Sequence, residues 1–128
     1  MSVQPGPADM LAPPVDDDLL RRITSRVVRM AKPRRIVLFG SRADGSARTQ
    51  SDVDLLVVID DERDPLRLAG QIYGSLWPRL VSLDVMVLSS AELDSRLSGF
   101  DPFLREITSK GRVLYDRERA DIGLGREG

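Results

Sequence analysis

Cysteine and histidine are both absent from the 128 residues. Without cysteine there is no disulfide framework, no thiol nucleophile and no thiolate zinc site. Without histidine the commonest general base and the commonest metal ligand are gone as well. Any metal would have to be held by oxygen, which points to Mg²⁺, Mn²⁺ or Ca²⁺ rather than zinc or copper. Also missing is an apolar run near the ~20 residues that span a bilayer. The opening stretch MSVQPGPADMLAPPV lacks the basic start and apolar core of a secretion signal. A cytoplasmic location with no membrane attachment is therefore expected. Neither charge is in excess: 19 Lys and Arg stand against 20 Asp and Glu. That balance argues against a dedicated nucleic-acid binder, which carries a clear basic surplus.

The length suits one domain with one real core. Residues 1–15 hold four of the eight prolines and no periodic pattern, so they are expected to form a flexible arm. Asp16, Asp17 and Asp18 then offer N-cap candidates and negative charge at a helix start. Leu19, Leu20, Ile23, Val27 and Met30 recur at helical spacing, which predicts an amphipathic helix over 16–31, ended by Pro33. Ile36-Val37-Leu38-Phe39 reads as a short buried strand, and 40–51 as a polar turn with room for one helical turn. Residues 52–60 form a β-branched second strand. A helix over 66–76 follows, closed by Trp77-Pro78; Leu68, Ile72 and Leu76 share one side, and Tyr73 and Trp77 read as core or interface residues. The remaining expectations are a strand over 83–88, a helix with Ser90 as its N-cap, a short helix over 102–110 stopped by Gly111 and a strand over 112–115. The domain is expected to span 16–116, with 117–128 a frayed tail. The fold class is α+β: a small mixed sheet with helices packed mainly on one face.

Chemistry concentrates in the acids. Side chains two apart on a strand point the same way. Asp52 and Asp54 therefore share one face of the second strand, and Val53, Leu55, Val57 and Ile59 the other. Two carboxylates at ~4 Å repel by about 4 kcal/mol at an effective dielectric near 20. Such a pair either shares a proton or holds a cation, and a hard divalent ion resolves the conflict most simply. Asp84 lies inside the third apolar strand, between Leu83 and Val85. A carboxylate there needs a partner. If the third strand lies beside the second, Asp84 meets the Asp52 and Asp54 face. Upstream, Gly40 lets backbone approach closely and Ser41 adds a hydroxyl, so that the bend can cradle a phosphate. Arg42 is placed to neutralise phosphate charge. Each feature also has a plain reading: Gly-Ser as an ordinary turn, Asp-x-Asp as a solvated strand end, Asp84 as an open-face residue or an arginine's partner, Arg42 as the partner of Asp44. Arg34 and Arg35 read as solvated.

Taken together, Gly40-Ser41, ten intervening residues, Asp52-x-Asp54, and Asp84 on a later strand resemble the DNA polymerase β-like nucleotidyltransferase superfamily. The string LFGSRADGSARTQSDVDLLVVID is similar to its minimal nucleotidyltransferase branch, many of whose members are the antitoxin halves of HEPN/MNT toxin–antitoxin pairs. The resemblance covers roughly residues 34–115. It implies that Gly40 and Ser41 hold the triphosphate of a nucleotide, and that Asp52 and Asp54 bind Mg²⁺ (or Mn²⁺) across the phosphates. Asp84 would complete the metal site and help activate the acceptor hydroxyl. It further implies transfer of AMP to a tyrosine near the RNase site of a HEPN-type toxin, with which the chain would form a hetero-oligomer. Two other functions stay open: an antitoxin that masks its toxin by binding alone, and a nucleotidyltransferase acting on a small molecule. The sequence departs from the branch at Ala43-Asp44-Gly45, where an acid replaces a frequent basic residue. At this length the helical acceptor domain of larger members is not expected.

Overall fold

The computed structural model describes residues 17–40, 53–60, 63–76, 83–119 and 121–122. Helix α1 spans Asp17–Ala31. Leu20, Ile23, Thr24, Val27 and Ala31 make its buried stripe, at the three- and four-residue steps that bring side chains to one face. Asp17 and Asp18 lie in its first turn and Arg29 in its last, each on the favourable side of the helix dipole. Past the helix, Lys32 takes a left-handed φ of 46° and Pro33 forbids continuation. The freed carbonyl of Ala31 accepts a hydrogen bond from the Arg63 guanidinium at 2.7 Å.

Strand β1 is Arg35–Phe39, β2 is Val53–Ile59, β3 is Leu83–Ser89 and β4 is Arg112–Asp116. A two-residue β5, Asp121–Ile122, completes a mixed open sheet in the order β3-β2-β1-β4-β5. Pairing is antiparallel except between β2 and β3, which run parallel. Parallel neighbours need a crossover, and helix α2, Pro65–Ser75, supplies it. Asp64 caps that helix, accepting from the Leu66 N–H at 3.1 Å, and Pro65 occupies its first turn, where no donor is missed.

The α+β class and the mixed sheet are as expected. Most of the helical packing lies on one face: α1 and α2 cover Ile36, Leu38, Leu55, Val57, Ile59, Val85, Val87 and Leu114. The other face is covered too, by helix α3, Ser90–Ser98, and helix α4, Pro102–Lys110, whose Leu93, Leu104 and Ile107 pack on Val37, Leu56, Val58 and Leu88. This explains the run in β2: a central strand covered on both sides is apolar at nearly every position, and Asp54 is its one residue that is not buried.

Three local expectations need correction. The N-cap of α3 is Ser89, not Ser90: Ser89 ends β3 with extended φ and ψ, and its hydroxyl accepts from the Glu92 N–H at 3.0 Å. Gly111 does follow the last turn of α4, but at φ −72° it is extended, not left-handed. Its requirement is space, since a Cβ there would lie 2.4 Å from the Ile107 carbonyl oxygen and 2.5 Å from Val37 Cγ1. Finally, the segment after Asp116 does not simply fray: Arg117–Arg119 form a 3₁₀ turn, and Tyr115 and Asp116 pair with Ile122 and Asp121. The turn is pinned by ion pairing of Arg117 with Asp60 and by the Arg117 N–H on the Arg34 carbonyl at 2.9 Å.

Candidate active site

One row across the sheet holds two of the candidate acids. Phe39 on β1 stands opposite Asp54 on β2, and Asp54 stands beside Asp84 on β3. In both pairings register partners point to the same side, so the three side chains form a line at the usual ~4.8 Å strand spacing. They face the side covered farther along by α3 and α4. Those helices sit over positions 56, 58 and 88, leaving Asp84 exposed and Asp54 half-buried. Two carboxylates one strand apart repel by roughly 3 kcal/mol at an effective dielectric of about 20. A cation shared between them would remove that repulsion.

Immediately after Phe39 the chain turns through Gly40 at φ +76°. A Cβ at this glycine would lie 2.5 Å from Asp54 Oδ2. The turn backbone therefore presses against the Asp54 carboxylate, a proximity only glycine allows. Phe39 is walled on its outer side by Phe103, ring centroids 6.0 Å apart and planes at 89°, the edge-to-face geometry aromatic pairs prefer.

Asp84 has a partner that sequence reasoning did not assign. The Tyr73 hydroxyl, reaching from α2, donates to Asp84 Oδ1 at 3.3 Å and accepts the Val85 N–H at 2.8 Å. Tyr73 was expected to be core or interface, and its ring does pack on the first cluster. Its polar end could not be read from sequence because it depends on which edge of the sheet α2 crosses.

Of the residues singled out above, the structure brings Gly40, Asp54 and Asp84 together. Ser41, Arg42 and Asp52, like Trp77, lie outside the described residues. Arg34 and Arg35 are at the opposite end of β1 and pair with Glu118 at 4.0 Å and Asp116 at 3.6 Å. Among the described residues no three carboxylates gather as a metal site, and no helix is long and apolar enough to cross a membrane. Asp54 and Asp84 nonetheless fit a hard divalent cation: oxygen donors only, on neighbouring strands, with an exposed approach.

The family described as Polymerase beta, Nucleotidyltransferase matches residues 21–120. No curated protein matches the sequence. Among solved structures, a candidate nucleotidyltransferase from Sulfolobus solfataricus is similar at 21% identity and a TM-score of 0.53, covering 80% of this chain and 82% of that one. A chain of a toxin–antitoxin structure with AMP-PNP is similar at 21% identity and a TM-score of 0.50, covering 77% and 75%. A chain of a MntA–HpeT toxin–antitoxin structure carrying two Asp-to-Glu changes is similar at 19% identity and a TM-score of 0.52, covering 84% and 78%. At these identities the likeness is one of fold.

Proposed function

The chain belongs to the polymerase β nucleotidyltransferase family, and from that premise we propose that it transfers AMP from ATP to a tyrosine hydroxyl of a HEPN-type RNase toxin, as that toxin's antitoxin. The observation that carries this reading is the in-register pair Asp54 and Asp84 beside the left-handed Gly40. The toxin half of the reading is supported by the fold shared with chains of toxin–antitoxin structures, one of them with AMP-PNP.

In this reading the triphosphate rests on the Gly40-Ser41 backbone with Arg42 against its charge. Asp52, Asp54 and Asp84 would hold Mg²⁺, or Mn²⁺ in its place, which when bound would neutralise the phosphates and the leaving group. The acceptor hydroxyl oxygen bonds to the α-phosphorus in line. The bond from that phosphorus to the bridging oxygen of the β-phosphate breaks, and pyrophosphate leaves. The hydroxyl proton passes to Asp84, the more exposed of the two described carboxylates. Edge-to-face Phe39 and Phe103 form the apolar end of the row.

Incubation of the chain with labelled ATP, Mg²⁺ and the protein encoded beside it tests the reading. Label should pass to a tyrosine of that protein, adding about 329 Da per adenylyl unit. Asp54→Asn should lower the rate by about 100-fold or more, because charge neutralisation at phosphate is worth several kcal/mol. Transfer at the normal rate by Asp54→Asn would overturn the catalytic assignment. A stable complex without any mass gain would favour masking by binding alone.

A further inference from the structure

We infer that Tyr73 is a positioning residue for Asp84, holding the carboxylate of the edge strand in the orientation a bound divalent cation requires. The inference rests on the reading of Asp84 as a metal-site carboxylate. Asp84 is the member of the pair most in need of an orienting contact. It is exposed, and among the described residues β3 is the last strand of the sheet, with no further strand flanking it. Its one hydrogen bond among the described residues comes from Tyr73.

That hydroxyl joins the strand to the carboxylate. Its oxygen already accepts the Val85 N–H at 2.8 Å, a backbone donor that cannot move without moving the strand. The same hydroxyl donates to Asp84 Oδ1, 3.3 Å away. That is long for an O–H···O contact, so it steers the carboxylate without competing strongly for it. With Oδ1 tied to α2, the second carboxylate oxygen is the one this inference leaves for a cation. The ring is anchored separately, packed on the cluster beneath α1 and α2. Hydrogen bonds of this kind, made to a ligand and not to the metal, typically change metal affinity or activity 10–100-fold when removed.

The test is a double-mutant cycle read by Mn²⁺ binding, followed by electron paramagnetic resonance of free Mn²⁺ in the absence of nucleotide. Tyr73→Phe keeps the ring and its packing and removes only the hydroxyl. It should raise the Mn²⁺ dissociation constant by about tenfold. In an Asp84→Asn background the same change should add less than about twofold, because the residue it acts through is already gone. An equal loss in both backgrounds would mean that the hydroxyl supports the strand and not the carboxylate, and would overturn the inference. So would an unaltered affinity in Tyr73→Phe when Asp54→Asn is weakened. Failure of the underlying reading looks different: the unaltered chain would hold no Mn²⁺ even at millimolar concentration, and the inference would fall with it.

Discussion

Gly40→Ala would ask two things of the chain at once. An alanine at φ +76° sits in the left-handed region, which costs an L residue about 1–2 kcal/mol. Its methyl would also stand 2.5 Å from Asp54 Oδ2, so the carboxylate or the turn must move. We expect a loss of about 1–3 kcal/mol in urea unfolding, together with a fall in nucleotide transfer larger than that destabilisation explains. An alanine variant with undiminished transfer would remove the glycine turn from the site. Gly40 was legible in the sequence as a close-approach position. What it approaches was not, because the Phe39–Asp54 pairing that brings the carboxylate there joins residues 15 apart in the chain.

At the scale of an element, α1 shows how surface charge and helix direction act together. Asp18 lies in the first turn, and the Arg22 guanidinium one turn later hydrogen-bonds and attracts its carboxyl, holding it below the usual carboxylate range. The folded value is depressed, so the contribution to stability is complete above the ordinary aspartate range and is lost as pH falls through the folded value. Asp18→Asn should therefore melt at a slightly lower temperature at neutral pH, and the gap to the unaltered chain should shrink as pH falls below the ordinary aspartate range. A gap that persists in acid would assign it to something other than this ion pair. Element type was readable as far as Asp116: helical periodicity gave α1, and apolar runs between polar punctuation gave β1, β2 and β3. Boundaries were less so. Ser89 and Ser90 are chemically equivalent cap candidates, and only the extended backbone at the strand's last residue makes Ser89 the cap. The order after Asp116 was hidden because it comes from Arg117 reaching Asp60, 57 residues away.

For the molecule as a whole, both faces of a single sheet carry helices, and the two apolar clusters meet only through the strands between them. Leu104 on α4 is fully buried in the smaller cluster. Leu104→Ala should lower stability by about 3 kcal/mol, within the range for truncating a core leucine. Unfolding should stay a single transition, because the strands are common to both clusters. Two separable transitions in guanidinium, followed by circular dichroism and tryptophan fluorescence, would show the second face folding independently. The sequence placed Asp54 and Asp84 on facing strands only conditionally; their alignment depends on the parallel register that α2 imposes. The same crossover has a consequence for solubility. A terminal strand exposes unpaired backbone groups that invite a foreign strand to dock and begin a fibre. Here the Val85 amide is already occupied by the tyrosine oxygen, and among the described residues the opposite rim ends in a segment two residues long. Both margins thus discourage edge-to-edge stacking, and one aromatic side chain serves as guard at a border as well as neighbour to the acids.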